Sequence, residues 1–383
     1  MIKIGIRHNL LYPFLSMIFY FAREVISIIM STYLEFRSSL LLTLIMFISE
    51  ITAGSISLFC IYNVDCLSKN KNKRTQSTGI ILIYSSSKMT RSDKKFKLFF
   101  LIFIAAYFQF MSFKITTIYL TLFENISKSL DIRLRSILPL LIGVLSLFTL
   151  RLPIFKQQIF SLTIIFICLM ITIISESIIT IISESIHSNN NLKFLYYLLL
   201  IFFKALIDAF VELNEKYLLE FNFVNPFFIV MFEGIFGSIF ISINSILTNP
   251  FKEIIEYKKN YIVLAIFLFI YLILSGGRNI YRISTNKIYS PMTRSLTDAF
   301  LDPILIIYYY CSGDFYIKKQ QNIFYFLINL FISIIVVFCV GVYNDFFILY
   351  FCGLEYHTHY EISRRALIKE NSPLISLEGT ALN

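Results

Sequence analysis

Apolar residues in this chain neither alternate nor return every three or four positions with polar ones between. They run on unbroken and then stop at charges. An α-helix needs about 20 residues to cross about 30 Å of hydrocarbon, and runs near that length recur from one end of the chain to the other. They predict ten membrane-spanning helices, over residues 10–30, 39–61, 98–113, 136–150, 159–180, 194–212, 224–247, 261–277, 288–310 and 323–343. The third and fourth are short, and Lys114, Arg133, Arg135 and Arg151 beside them can snorkel to the interface. The first run sits beside Arg23 and Glu24 and lacks a small-residue cleavage site, so it is expected to be a retained helix.

Composition agrees with that pattern. Of the 383 residues 57% are hydrophobic and 15% charged, and a mean hydropathy of +0.73 lies outside the range of soluble globular proteins. The expected fold class is an all-α polytopic membrane protein with no large soluble domain. Residues 62–97 hold "KNKNKR" and "SSSKMTRSDKKFK" and are expected to be a basic cytosolic loop; residues 354–383 are expected to be a flexible cytosolic tail.

With both termini cytosolic, most of the 34 Lys and Arg residues fall on the inside, and the 62–97 loop alone supplies a large share of them. Asn125-Ile126-Ser127, a glycosylation sequon, then lies in a lumenal loop. The net charge of +10 is therefore a topology signal. No basic face with interleaved aromatics is available in water, which argues against nucleic acid as a partner. The six cysteines form no CxxC pair, and His8, His187, His357 and His359 lie in termini or a loop, so neither a disulfide framework, a metal site nor a cofactor is expected.

Internal repetition organises the spans. "MFISEITAGSI" in the second and "VMFEGIFGSI" in the seventh align Glu50 and Gly54-Ser55-Ile56 with Glu233 and Gly237-Ser238-Ile239. Upstream, "YLEF" at 33–36 echoes "LLEF" at 218–221, which brings the first span onto the sixth and Arg23 near the position of Asp208. Downstream, Arg135-Ser136 matches Arg294-Ser295, and "IFKQQIF" at 154–160 matches "IKKQQNIF" at 317–324. One deletion, after the second span's partner, reconciles all four matches. Each half has five spans, an odd number, so the second must enter the membrane in the opposite sense: residues 10–180 and 194–343 are predicted to be inverted five-helix repeats.

That architecture gives the intramembrane charges a meaning. A charge at the bilayer centre costs at least about 2.5 to 3.5 kcal/mol, so a helix keeps one where it meets a partner or a wet cavity. Lys204, Asp208 and Glu212 share one stripe of the sixth span, and Arg294, Asp298 and Asp302 repeat the pattern on the ninth. Each cation is expected to neutralise the carboxylate one turn away, and both stripes to face a cavity between the halves. Glu50, Glu233 and Arg23 complete the expected solute or ion pathway. Gly54, Gly234 and Gly237 are expected to let helices approach closely, and Asp302-Pro303 to mark a kink. Structural ion pairing is the competing reading of any single charge.

The segments "FKALIDAFVELNEKYLLEFNFVNPFFIVMFEGIFGSI" at 203–239, "TRSLTDAFLDPILI" at 293–306 and "GVYND" at 341–345 resemble the drug/metabolite transporter superfamily. Within it they are most similar to the nucleotide-sugar-transporter group, solute-carrier family 35, and its F branch. The resemblance covers about residues 10–345. It implies a central cavity lined by spans one to four and six to nine, alternating access, peripheral spans five and ten with a homodimer contact, and exchange of an anionic solute. This chain departs from that group: its candidate acids at least equal its candidate bases, whereas nucleotide sugars call for surplus Lys or Arg. A cationic or zwitterionic solute, or proton coupling through Glu50, Glu233 or Asp298, suits the charges better.

The sequence thus favours a secondary-active carrier, not an enzyme, that moves a small polar metabolite across an endomembrane, driven by protons or by exchange. Two other classes remain: a non-transporting receptor or scaffold on the carrier fold, and a membrane-embedded lipid or glycosyl transferase, for which no His or Asp motif at the membrane face is visible. In the tail, Glu370 precedes Leu374-Ile375 with the spacing of an acidic dileucine signal read by clathrin adaptors, which points to a lysosomal or Golgi-type address.

Overall fold

The helices begin and end where hydrogen bonding allows, which is not always where hydropathy changes. The computed structural model describes residues 2–4, 11–34, 36, 38–69, 92–122, 132, 134–150, 154–183, 190–247, 261–312, 323–349 and 353–354. These form α1 (Leu11–Thr32), α2 (Ser39–Lys69), α3 (Ser92–Leu122), α4 (Ile137–Thr149), α5 (Lys156–Ser183), α6 (Asn190–Glu220), α7 (Pro226–Leu247), α8 (Tyr261–Ile288), α9 (Pro291–Ala299), α10 (Asp302–Ser312) and α11 (Ile323–Tyr343). Two short strands, β1 (Ile2–Ile4) and β2 (Phe347–Leu349), pair antiparallel at one end of the bundle, with Ile2 opposite Leu349.

Among the described residues α1, α2, α3, α5, α7, α8 and α11 contain stretches long and apolar enough to cross a membrane, and α4 is a shorter apolar helix. Side-chain placement is the reverse of a soluble core. Phe148, Ile262 and Phe331 are 75%, 73% and 65% exposed, while Glu50, Glu215 and Glu233 are fully buried. An apolar surface around a charged interior is what a hydrocarbon solvent requires. The chain is an all-α multi-pass membrane protein.

Five predicted spans need correction. The second and third, expected over 39–61 and 98–113, run as helix over Ser39–Lys69 and Ser92–Leu122, so both ends of the expected 62–97 loop are helical. The sixth and eighth, expected to end at residues 212 and 277, continue as helix, α6 to Glu220 and α8 to Ile288. The added turns carry Glu215, Lys216, Arg278 and Arg282, which persist in helix because each meets a charge or carbonyl on another helix. Four basic residues assigned to cytosolic loops, Lys216, Arg278, Arg282 and Lys287, therefore lie on helices. The ninth span, predicted as one helix with a kink, is divided into α9 and α10. Pro303 has no N–H to offer Ala299, the last residue of α9, and its ring crowds that carbonyl. The chain tightens there, with Leu301 N–H donating to Asp298 O at 3.1 Å. At the other end of α9, Ser290 caps the helix by accepting from Thr293 N–H at 3.1 Å, and Pro291 occupies the first turn.

The helices pack in matched pairs. α2 lies on α7; α1 lies on α8 as α3 lies on α6; α2 meets α8 as α3 meets α7; α1 meets α9 as α4 meets α6; and α5 lies on α11. At the α2/α7 crossing, a Cβ on Gly54 would stand 2.9 Å from Met231 N and Phe227 O, and one on Gly234 would stand 2.7 Å from Phe47 O. Gly237 lies against the Phe47 ring. Contacts that move forward on α2 move backward on α7, so the two run antiparallel, with backbone nearly touching backbone. Along α3 and α7 an edge-to-face ladder of rings, Phe99 with Phe232 and Phe103 with Phe236, fills the groove at centroid distances of 5.0 and 5.5 Å.

α1 and α6 terminate alike. Tyr33 N–H donates to Ile29 O and Phe36 N–H to Met30 O; Phe221 N–H donates to Tyr217 O and Val224 N–H to Leu218 O. Both are six-residue returns that satisfy the last helical carbonyls. In α6 the return requires Phe223 at φ 51°, a left-handed conformation in which glycine is usual.

Candidate functional site

On α6 the four-residue spacing of Lys204, Asp208 and Glu212 puts all three on one stripe, and that stripe forms a wall of a cavity of about 320 Å³. α1 contributes Tyr20, Arg23 and Glu24; α3 Gln109, Ser112 and Thr116; the turn before α4 Arg135 and Ser136. α8 supplies Arg278, Asn279 and Arg282, α9 supplies Arg294 and Asp298, and Asp302 begins α10. Seven residues anticipated from sequence thus line one space: Arg23, Lys204, Asp208, Glu212, Arg294, Asp298 and Asp302.

The pairing expected within α9 is corrected. Arg294 Nε stands 3.3 Å from Glu212 Oε1, and its Nη1 donates to Glu215 Oε2 at 3.3 Å, both on α6. Asp298 Oδ1 accepts from Arg278 on α8 at 3.5 Å, and Asp302 Oδ1 from Arg135 at 3.3 Å. Arg23 bonds Glu24 beside it at 2.6 Å. α9 presents its charged face to α6 and α8, and the break before Pro303 turns Asp302 toward α4, so partners on neighbouring helices lie nearer than those one turn away.

Three guanidinium groups gather on one ring. Arg278 Cζ lies 4.0 Å and Arg23 Cζ 5.2 Å from the Tyr20 centroid, and Arg135 Nη1 donates to the Tyr20 hydroxyl at 2.9 Å. With Arg135, Arg278 and Arg282 counted, the wall holds six basic side chains and five carboxylates. Acids, expected at least to equal bases, fall one short of them in the wall itself; three further carboxylates, Glu50, Glu215 and Glu233, lie outside that lining.

Glu50 and Glu233 do not line the cavity; both are sealed in the seam between α2 and α7. Glu50 Oε1 accepts from Gln109 Nε2 at 3.2 Å and from Asn279 Nδ2 at 2.9 Å, one amide from α3 and one from α8. Glu233 has Arg282 Nη2 at 3.7 Å. Glu215, which the sequence reading passed over, is the hub: it meets Arg282 at 2.9 Å, Arg294 at 3.3 Å and Asn286 Nδ2 at 3.3 Å.

Toward the end of the bundle that carries β1 and β2, the structure is closed. Buried Lys216 donates to Asn286 O and Tyr289 O, both at 2.9 Å, neutralising the C-terminal carbonyls of α8, and pairs with Glu220 at 2.7 Å. Ser290 and Thr293 both donate to Asn344 Oδ1, at 3.0 and 2.7 Å, tying α9 to the end of α11. Away from that end the wall is more open: Arg135 is 27% exposed against 2% for Glu212.

Asn125, the tail residues Glu370, Leu374 and Ile375, and all four histidines lie outside the described residues. Compared with known proteins, the chain matches no protein-family model and no characterised sequence.

Proposed function

We propose that the chain is a secondary-active carrier that moves a small polar metabolite through the bilayer by alternating access between two inverted five-helix halves, α1–α5 and α6–α11. The observation that carries this reading is a charged cavity held between the two groups of helices, closed by ion pairs at one end and open toward the other. A structural core would have no reason to keep that volume wet.

Helix packing supports the repeat. Exchanging α1 with α6, α2 with α7, α3 with α8, α4 with α9 and α10, and α5 with α11 turns each matched packing pair into its counterpart. The shared ends of α1 and α6 and the antiparallel crossing of α2 and α7 fit the same exchange. A cavity of about 320 Å³ with nearly balanced charge suits a solute bearing both signs, such as a small zwitterion. A nucleotide sugar is larger and would ask for uncompensated cations.

The chain works in an endomembrane of lysosomal or Golgi type, with both termini cytosolic and the Glu370, Leu374, Ile375 signal read by a clathrin adaptor. A homodimer through the peripheral pair α5 and α11 completes the proposal. The first experiment is a thermal-shift screen of the purified protein against pooled metabolites. A solute that binds the folded carrier raises its melting temperature by mass action, and the Asp298→Asn variant should lose that shift. If small zwitterions, sugars and nucleotides all leave it unchanged, the solute-carrier reading fails.

A further inference from the structure

In the cavity wall and behind it lies one connected set of charges drawn from five helices. Glu50 on α2, Glu212 and Glu215 on α6 and Glu233 on α7 are each at most 2% exposed, and the cations among them are Arg282 on α8 and Arg294 on α9. Four carboxylates therefore share two guanidinium groups. The cations are not divided evenly. Arg294 is taken by Glu212 and Glu215, and Arg282 lies 2.9 Å from Glu215 but 3.7 Å from Glu233.

Glu50 and Glu233 are what remains. Neither Glu233 oxygen has a hydrogen-bond partner, nor does Glu50 Oε2, and all three atoms are shut off from solvent. The two side chains share one seam: a Cβ on Gly234, next to Glu233, would stand 2.9 Å from Glu50 Cβ. Among the described residues no group of three Asp, Glu, His or Cys side chains is placed to hold a metal ion. A carboxylate without its own cation in a dry apolar interior costs far more than a neutral carboxyl, and it takes up a proton instead.

We propose that Glu50 and Glu233 form a proton-binding site, and that the proton is the second ligand of the carrier. The assignment rests on the carrier reading for its transport meaning, but not for proton binding itself. Gln109 and Asn279 connect the site to the solute, since both line the cavity and both donate to Glu50. Arg282 connects it to the closed end. While Glu233 is neutral, Arg282 stays with Glu215, which also holds Arg294. When the proton leaves Glu233, the new carboxylate draws Arg282 across, and Glu215 loses one of its two cations. Proton release thereby loosens the pairing that closes this end of the cavity. The remaining charges facing the set, Arg278 and Asp298, bond one another at 3.5 Å and leave its balance unchanged.

The test is infrared titration of the purified wild-type protein, which needs no known solute. At neutral pH exposed carboxyls are ionised, so a carboxyl C=O band that survives there and disappears in alkaline buffer marks a buried proton. The proposal expects that band in wild type and its loss in Glu50→Gln and Glu233→Gln. Wild type without a band at neutral pH overturns it, as does a band that persists in both folded variants. If either variant fails to fold, ¹³C-carboxyl labelling of wild-type glutamate, with Glu220→Gln, at a half-exposed position paired with Lys216 outside the set, as a variant that keeps the site, serves the same decision. A band at Glu50 and Glu233 without any solute flux would leave the proton site standing and remove the carrier reading; flux without the band would do the reverse.

Discussion

Arg294 on α9 reaches across to Glu212 on α6, Nε to Oε1 at 3.3 Å, and bridges the same helix again at Glu215. Two helices are fastened by one planar, permanently charged fork at the point where the cavity ends. Removing one partner of a buried ion pair costs about 3 to 5 kcal/mol because it leaves an uncompensated charge. Arg294→Ala should therefore lower the melting temperature clearly, and Arg294→Lys should recover only part of the loss, since an ammonium cannot span both carboxylates. Thermal unfolding in detergent reads both.

Asp298 should behave differently. Its partner Arg278 also stacks on Tyr20, and the pair is long at 3.5 Å. Asp298→Asn and Asp208→Asn are expected to abolish transport with little change in melting temperature. Equal destabilisation by Asp208→Asn, Asp298→Asn, Lys204→Gln and Arg294→Ala, with no separate loss of transport, would mark the charges as structural fastening.

The proposed repeat implies a second gate. The ends of α1 and α6 pair Met30 with Leu218, which carries Glu24 onto Glu212, and Arg135 already matches Arg294. In the conformation open at the opposite end, Glu24 should leave Arg23 and pair with Arg135 as Glu212 now pairs with Arg294. A Glu24→Cys and Arg135→Cys double variant should cross-link and arrest transport, and cross-linking should fall when solute holds the cavity open at this end. Cross-linking that is insensitive to solute would contradict the exchange of gates.

Gly54 tests the α2/α7 seam. A Cβ there meets backbone atoms of Met231 and Phe227, which cannot rotate away, whereas at Gly277 it meets only the Phe19 ring. Gly54→Ala should cost about 1 to 3 kcal/mol, and more than Gly277→Ala, by the same unfolding measurement.

For the address, Leu374→Ala with Ile375→Ala should move a tagged protein toward the cell surface. An unchanged distribution by microscopy and surface labelling would remove the tail as the signal.

What the sequence reveals and what it hides divide along one physical line. Apolar length is a local property, so the apolar runs of α1, α2, α3 and α7 are legible directly, and the Glu50 and Glu233 match is legible because the same short residue pattern surrounds each. Partnership is not local. The stripe at Lys204, Asp208 and Glu212 predicts a polar face, but nothing in it says that Glu212 belongs to Arg294. Ending the sixth span at Glu212 and the eighth before Arg278 hides Glu215, Arg278 and Arg282, although the four-residue step between the two arginines is the same signal read on α6. The "YLEF" and "LLEF" match also falls three residues from the register that the hydrogen bonds of the helix ends define, because short apolar words recur easily in a chain this rich in them.

Alternating access is distinguished from mere binding by solute counterflow into proteoliposomes. Vesicles containing purified protein are loaded with an unlabelled solute that raises the melting temperature, and labelled solute is supplied outside. A carrier that alternates gives transient, saturable accumulation that is lost in Asp298→Asn. Vesicles that bind the solute but show no accumulation above protein-free controls would contradict it.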